Sequence, residues 1–404
     1  MSGHQSERPL GGPIFTPTFF FLLMVIFSGA VLVLYRMFFG LGAVSAMNDG
    51  YAWGIWKPLN VVTFTGIGAG AYAVGLLAYV FNRWHYHSLV RSAIVVGAMA
   101  YTLGGTSVLI DLGRWWNLWV TFYPPIYNLN SVLLEVAVCV MAYTGVLWAE
   151  LTPPILEQAS RWKYEPVRRV AAWGLPWARR ALPIIISVAL LLPTMHQSSL
   201  GGLYMITPTK LHPLWYTPWL SGLFLMSCLT MGFGAVVIVE NLTSLNFRRR
   251  MDQRLLGRMA PVPAMLVLSF IAIRLIDIAV QGKLGYIWTF DFYSKVFLVE
   301  MGLFLVPALM MLRRKVRKNR GGLFISAVLL VLAGTVYRFD TYLVAYLPTT
   351  GWVYFPSLGE LLLSACLAST GIAVYLVMIK LFPILSGVRP RKKPAAAEHT
   401  TVQA

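Results

Sequence analysis

This 404-residue chain predicts an all-α, polytopic membrane protein of about ten transmembrane helices, and three observations carry that reading. The first is composition: 12% of residues are charged, 58% hydrophobic and 14% aromatic, and mean hydropathy is +0.68. So little polar surface cannot clothe a water-soluble fold, and so much apolar surface excludes disorder. The second is the recurrence of apolar runs at roughly 16–38, 58–82, 92–112, 128–151, 180–197, 217–243, 261–281, 293–312, 321–345 and 357–383. Each meets the requirement of about 20 residues for crossing hydrocarbon, and none shows the period-two alternation of a barrel. The third is charge placement. Of the 33 Lys and Arg, 24 fall on the side that holds both termini, six on the other side, and three inside or at the rim of spans. The positive-inside rule then makes both termini cytoplasmic. The net charge of +18 becomes orientation and contact with anionic membrane lipid, not a nucleic-acid surface.

Taken in order, each span has its own signal. The first is too long, and its small-residue cleavage site too poor, for a removable signal peptide. The second carries Gly66-x-Gly68-x-Gly70, which inside an apolar run reads as close helix approach and not as a nucleotide loop. The third ends at Asp111, followed by Arg114, Trp115 and Trp116. These predict either a rim salt bridge with an aromatic belt or a pocket for an aromatic headgroup. The fourth holds Glu135, two turns in from the outer side. The connection 152–179 is amphipathic around Trp162, Tyr164 and Trp173 and is expected to lie in the interface. His196, near the outer end of the fifth span, reads as a proton relay or an interfacial donor.

Glu240 of the sixth span is the intramembrane acid placed near the cytoplasm. In the seventh, Arg274 and Asp277 stand three apart on one face and are expected to pair locally. Glu300 of the eighth and Glu135 have no cation near in sequence; each reads as a proton carrier or a packing hydrogen-bond donor. Arg338 and Asp340 of the ninth point differently, so each needs a partner on another helix, and Glu360 opens the tenth. Residues 1–385 read as one membrane domain and 386–404 as a basic, disordered cytoplasmic tail.

Ionisable groups inside spans cost roughly 2.5–3.5 kcal/mol each and tend to face partners or water. Here they gather toward the outer half. Cys139, Cys228 and Cys366 sit in separate spans without a Cys-x-x-Cys, so the chain is expected to hold no iron–sulfur cluster and no disulfide. His4 and His399 lie in tails and His85, His87 and His212 in loops. No intramembrane pair remains for a b haem, and none is expected. The ensemble suits reduction of a quinone, which takes two electrons and two protons, with the electrons supplied by a partner.

Several strings resemble the NrfD/PsrC family of membrane subunits, and within it the branch serving hydrogenase-2-type nickel–iron hydrogenases (the HybB type). They are Phe39-Gly-Leu-Gly-Ala-Val-Ser45, Trp53-Gly-Ile-Trp56, Tyr79-Val-Phe-Asn-Arg83 and Asp111-Leu-Gly-Arg114 with Trp116-Asn117. Further on come Asn130-Ser-Val-Leu-Leu-Glu135, Leu192-Pro-Thr-Met-His-Gln-Ser-Ser199, His212-Pro-Leu-Trp215, Asp291-Phe-Tyr293, and Phe355-Pro with Glu360. The resemblance implies helical bundles and a quinone, menaquinone or ubiquinone, bound near the outer face. It also implies a periplasmic ferredoxin-like iron–sulfur subunit and hydrogenase small and large subunits as partners. Carried residue by residue, it points to Trp53, Asp111, Arg114, Trp116, Glu135 and His196.

With the aromatic and polar neighbours, the expected quinone site is Trp53, Trp56, Asn60, Asp111, Arg114, Trp115 and Trp116. The expected proton path is Glu135, His196, Arg274, Asp277, Glu300, Asp340 and Glu240. Asn60 stands where hydrogenase relatives are expected to have an acid, and the first span lacks the histidine of the polysulfide-reductase branch. Three rivals stay open: a secondary transporter, a passive anchor, and the same fold serving a molybdoenzyme or a polysulfide or nitrite reductase.

Overall fold

The computed structural model describes residues 7–387 apart from Ala52, Arg248, Arg250 and Thr350; most of the predicted tail, from 388 onward, lies outside the described residues. Ten helices are long and apolar enough to span: α1 Pro17–Phe39, α2 Lys57–Val80, α3 Trp84–Asp111, α4 Val132–Ala159, α5 Glu165–Met205, α6 Leu220–Phe247, α7 Gln253–Val280, α8 Phe292–Leu312, α9 Arg320–Val344 and α10 Leu358–Leu381. Each predicted span has its helix. Among the described residues β pairing is confined to the isolated bridges Asn48–Tyr51 and Leu211–Tyr346. Starts are set by side-chain caps: Thr16, Ser131, Asp291, Asn319 and Ser357 each accept from a backbone N–H of the following turn, offsetting orphan donors that hydrocarbon cannot satisfy.

The helices pack as two four-membered bundles. In the first, α2–α3, α3–α4, α4–α5 and α2–α5 are neighbours; in the second, α6–α7, α7–α8, α8–α9 and α6–α9. The bundles meet where α2 and α5 touch α6 and α2 touches α9, while α1 and α10 pair with each other beside α3. α2 is the most enclosed span, with 83% of its apolar window buried against 17% for α1. Its glycines make this possible. A Cβ on Gly68 would meet Ala100 Cβ at 2.8 Å, and one on the facing Gly232 of α6 would meet the Ala69 and Gly70 backbone at 2.7 Å. Without a hydrophobic force between helices in lipid, such close approach is what holds them.

Both ends of the described chain lie on one side, where Leu10 N–H donates to the Ile379 carbonyl (3.0 Å) and Gly11 N–H to that of Lys380 (3.1 Å). This is called the basic side below, and the other the far side. One expectation needs correction. The segment 165–179 is not a connection separate from the fifth span but the start of α5, which runs unbroken for 41 residues. At 1.5 Å per residue it is roughly 60 Å long, twice the hydrocarbon thickness. α4 and α5 form a long helical hairpin, in which Glu157 accepts from Arg179 (2.8 Å). Trp162, Tyr164 and Trp173 remain exposed on it.

Two spans are locally widened into π-helical turns on the far side, α2 at Lys57–Thr63 and α9 at Asp340–Val344. Such turns are rare and recur at functional sites. The first opens at Pro58, and Thr63 Oγ1 donates to the Pro58 carbonyl five residues back (2.7 Å). The two turns pack against each other.

Candidate functional site

The widened start of α2 aims Lys57 at Asp111, the last residue of α3. Nζ and Oδ2 are 2.6 Å apart, with the side chains 17% and 4% exposed. Arg36 of α1, buried at the same corner, donates to the Leu112 carbonyl. The Trp53 indole lies 5.9 Å from Lys57 Nζ and edge-on to Tyr342. Trp56, in contrast, is buried outright and its N–H donates to the Glu360 carbonyl (3.0 Å). The Glu360 carboxylate accepts from Ala46 N–H, Ser357 N–H and the Tyr354 hydroxyl. That pins the loop before α2 to the start of α10. Burial, and then the adjoining Glu360 carboxylate, push the Tyr354 hydroxyl above the ordinary tyrosine range. One turn inside, Asn60 Nδ2 donates to Ser107 Oγ (3.2 Å), while its Oδ1 has no partner.

Arg114 does not pair with Asp111. α3 stops at Asp111 and Leu112 is extended (ψ 120), so the chain turns outward into the 3-10 segment Trp115–Phe122. Arg114 is exposed there, with Trp115 and Trp116 at 41% and 59% exposure. The expected quinone set thus divides: Trp53, Asn60 and Asp111 lie around the α2–α3 corner, Trp56 supports the loop behind it, and the Arg114 group forms an outer aromatic rim.

A second cluster lies inside the far half of the second bundle. Arg274 of α7 pairs with Glu300 of α8 at 2.6 Å and donates to the Leu214 carbonyl at 3.0 Å. Trp215 Nε1 donates to the other Glu300 oxygen (2.8 Å), and the Asp340 carboxyl of α9 adjoins Glu300. This corrects two expectations. Glu300 has a cation, brought by tertiary packing, and Arg274 turns inward rather than to Asp277, which instead accepts from Gln281 Nε2 (2.8 Å).

Between the bundles sits Arg338, wholly buried and without a carboxylate partner among the described residues. Its guanidinium donates to the Val62 carbonyl of α2 (3.0 Å), Ser227 Oγ of α6 (2.8 Å) and Gln197 Oε1 of α5 (3.0 Å). Gly66 leaves the space: a Cβ there would lie 3.2 Å from the guanidinium. Gln197 Nε2 donates on to Thr65 Oγ1 (3.1 Å) and the Tyr101 hydroxyl (3.4 Å). His196, fully buried, is 3.4 Å from Thr65 Oγ1 and edge-on to Tyr101, with Nδ1 unpartnered. Arg338 and Asp340 do each find partners on other helices.

The remaining acids stand apart. Glu240 is buried and bonded to Arg249 on the basic side. Glu135 is exposed on the outside of α4. Sequence reasoning overlooked Lys57 as the partner of Asp111, Arg36 as a donor to the neighbouring Leu112 carbonyl, Trp215 as a donor to Glu300, and Glu150. Glu150 was hidden because α4 was expected to end at about 151, whereas it continues to Ala159.

The protein is therefore a polytopic helical membrane subunit with buried polar clusters and no cysteine or histidine cluster for a metal among its described residues. It belongs to the family described as "Polysulphide reductase, NrfD", whose model matches residues 43–348. It is 36% identical over 384 residues to the "Probable Ni/Fe-hydrogenase 2 b-type cytochrome subunit" of Escherichia coli (strain K12), covering 94% of this chain and 95% of that one. It is 24% identical over 370 residues to the "Menaquinone reductase, integral membrane subunit" of Nitratidesulfovibrio vulgaris (strain Hildenborough), covering 84% of each. The word cytochrome in the first name raises haem. His196 is the one described histidine deep in a span; His85 and His87 open α3 at the basic end, and His87 stacks on Trp84. The residues present do not fit a haem held between two facing histidines.

Proposed function

We propose that this chain is the quinone-reactive membrane subunit of a periplasm-facing nickel–iron uptake hydrogenase in a bacterial inner membrane, both termini cytoplasmic. A periplasmic ferredoxin-like iron–sulfur subunit passes electrons from the hydrogenase small and large subunits to menaquinone or ubiquinone at the far side. The names and coverage of the relatives support the class, and the histidine placement supports a haem-free chain.

The observation that carries the site is the Lys57–Asp111 pair beside the partly exposed Trp53 indole. A quinone needs a flat apolar wall, a donor for a carbonyl and an acid for the protons it takes up; Trp53, Lys57 and Asp111 supply these in turn. Glu300, Asp340 and Arg274, then His196, with Glu135, Asp277 and Glu240, serve proton transfer, and net translocation follows where they join.

Asp111→Asn in the intact complex tests the reading. Hydrogen-dependent quinone reduction is expected to fall about 10-fold or more, while viologen reduction at the hydrogenase subunits keeps its rate. Unchanged quinone reduction removes the pair from the site. Co-purification with nickel and clustered subunits identifies the partner. Molybdenum in place of nickel selects a molybdoenzyme sister complex, and isolation alone selects a transporter.

A further inference from the structure

A carboxyl on the basic side remains unused. Glu150 of α4 sits roughly 13 Å before the end of that helix at Ala159, at 1.5 Å per residue. It is half-buried, and among the described residues no side chain hydrogen-bonds or ion-pairs with it. It lines a cavity of about 10 Å³ with Tyr72, Tyr79 and Tyr143, close to the minimum that admits one water.

Two hydroxyl-bearing lines lead inward from that cavity. Tyr143, fully buried, stands edge-on to Tyr101 with ring centroids 4.5 Å apart, and Tyr101 adjoins Gln197 and His196. The Tyr72 hydroxyl is 2.6 Å from Thr194 Oγ1, two residues before His196 on α5. Outward, Tyr79 lies within electrostatic range of both Glu150 and the Arg91–Glu7 pair, whose groups are 2.6 Å apart. Arg91 also reaches Glu157 at 3.6 Å, with both side chains about a quarter exposed, at 25% and 23%.

We infer that Glu150 is the proton-loading group of a half-channel from the basic side, delivering through Tyr143 and Tyr101 toward His196. The inference rests on the quinone reading above. Glu240, the other inner acid, is bonded to Arg249 and does not line this cavity. Glu150 has no such cation and is free to exchange. Its carboxylic acid releases a proton to the tyrosine-lined cavity, and the carboxylate takes one from the basic-side water. The electrons come from the iron–sulfur partner, and the quinone is the group reduced.

The test uses the whole complex in liposomes with a pH-reporting dye on the basic side and hydrogen as donor. In Glu150→Gln, basic-side proton uptake and quinone reduction are expected to fall together by about 10-fold, with viologen reduction unchanged. Glu150→Asp, which keeps the carboxyl, is expected to recover part of both. Unchanged uptake in Glu150→Gln overturns the inference. So does a wild-type complex that reduces quinone without basic-side uptake, an outcome that leaves the quinone reading standing; no quinone reduction by wild type sinks that reading itself. Should the Gln variant not assemble, Tyr143→Phe, which removes only a hydroxyl, takes its place, and full uptake there overturns the route.

Discussion

Asp111 takes its counter-charge from Lys57 at 2.6 Å, across the α2–α3 interface, and not from Arg114 three residues on. Each single neutralisation, Lys57→Gln or Asp111→Asn, leaves the other group poorly paired. The expected loss is about 2 kcal/mol, below the roughly 3–5 of a fully buried pair because Lys57 reaches some solvent. The double variant should recover much of it. Additive losses in detergent melting would show that the two groups do not interact.

Arg338 joins both bundles through three buried hydrogen bonds. Arg338→Met keeps length but orphans Gln197 Oε1 and leaves the Val62 carbonyl with only the longer bond from Thr65 Oγ1 (3.4 Å), so about 2–4 kcal/mol should be lost. Unfolding followed by tryptophan fluorescence should also broaden as the bundles uncouple. An unchanged midpoint would mean that the bundles are held by packing alone.

What the sequence disclosed, and what it hid, follows from range. Each span was legible because twenty apolar residues in a row have one solution in lipid, and Gly66-x-Gly68-x-Gly70 announced close packing because nothing else explains small residues there. The outward bias of Asp111, Glu300 and Asp340 was legible for the same reason. Their partners were not. Lys57 reaches Asp111 because of a π-helical turn, and Trp215 and Arg274 converge on Glu300 from different helices. Local spacing instead suggested Arg114 and Asp277, the cations and acids nearest in sequence. The length of α4 beyond its apolar run was equally hidden, which cost Glu150 its place on an inner path.

The contact of Gly232 with α2 admits no side chain, since the obstructing atoms are backbone at 2.7 Å. Gly232→Ala must therefore part α6 from α2 and should cost about 1–3 kcal/mol or more. Gly105→Ala is the control. Its nearest neighbour would be Val140 Cγ1 at an ordinary 3.6 Å, so it should be neutral or slightly stabilising. Equal midpoints for the two variants would contradict the packing described.

His212, in the loop between α5 and α6, stacks on Tyr293 at 4.3 Å and its Nδ1 accepts from Leu214 N–H. Burial holds its pKa below the ordinary histidine value, Asp291 partly opposing. The unfolded chain then binds more protons than the folded one between the two values, so stability rises with pH across that window. The contribution is complete above about pH 6.5 and is lost as pH falls toward the folded value. His212→Asn keeps an acceptor for Leu214 and should flatten this slope in melting curves below about pH 6.5; an undiminished slope would place the titration elsewhere.

Glu300 and Asp340 present two carboxyl groups to one guanidinium, Arg274, and the geometry is unequal. Glu300 binds Arg274 with one oxygen and the Trp215 indole with the other, whereas Asp340 leaves Oδ2 unpartnered and meets the cluster through Glu300. One charge is thus matched on Glu300, and Asp340 is the member that a neutral isostere can replace. Asp340→Asn should keep its melting midpoint to within about 1 kcal/mol. Glu300→Gln leaves a buried cation unpaired and should cost roughly 3–5 kcal/mol. If these groups also pass protons, Asp340→Asn slows quinone reduction in a complex that melts like wild type, which separates transport from stability. The reverse order of stabilities would move the charge to Asp340 and make Glu300 the exchangeable acid.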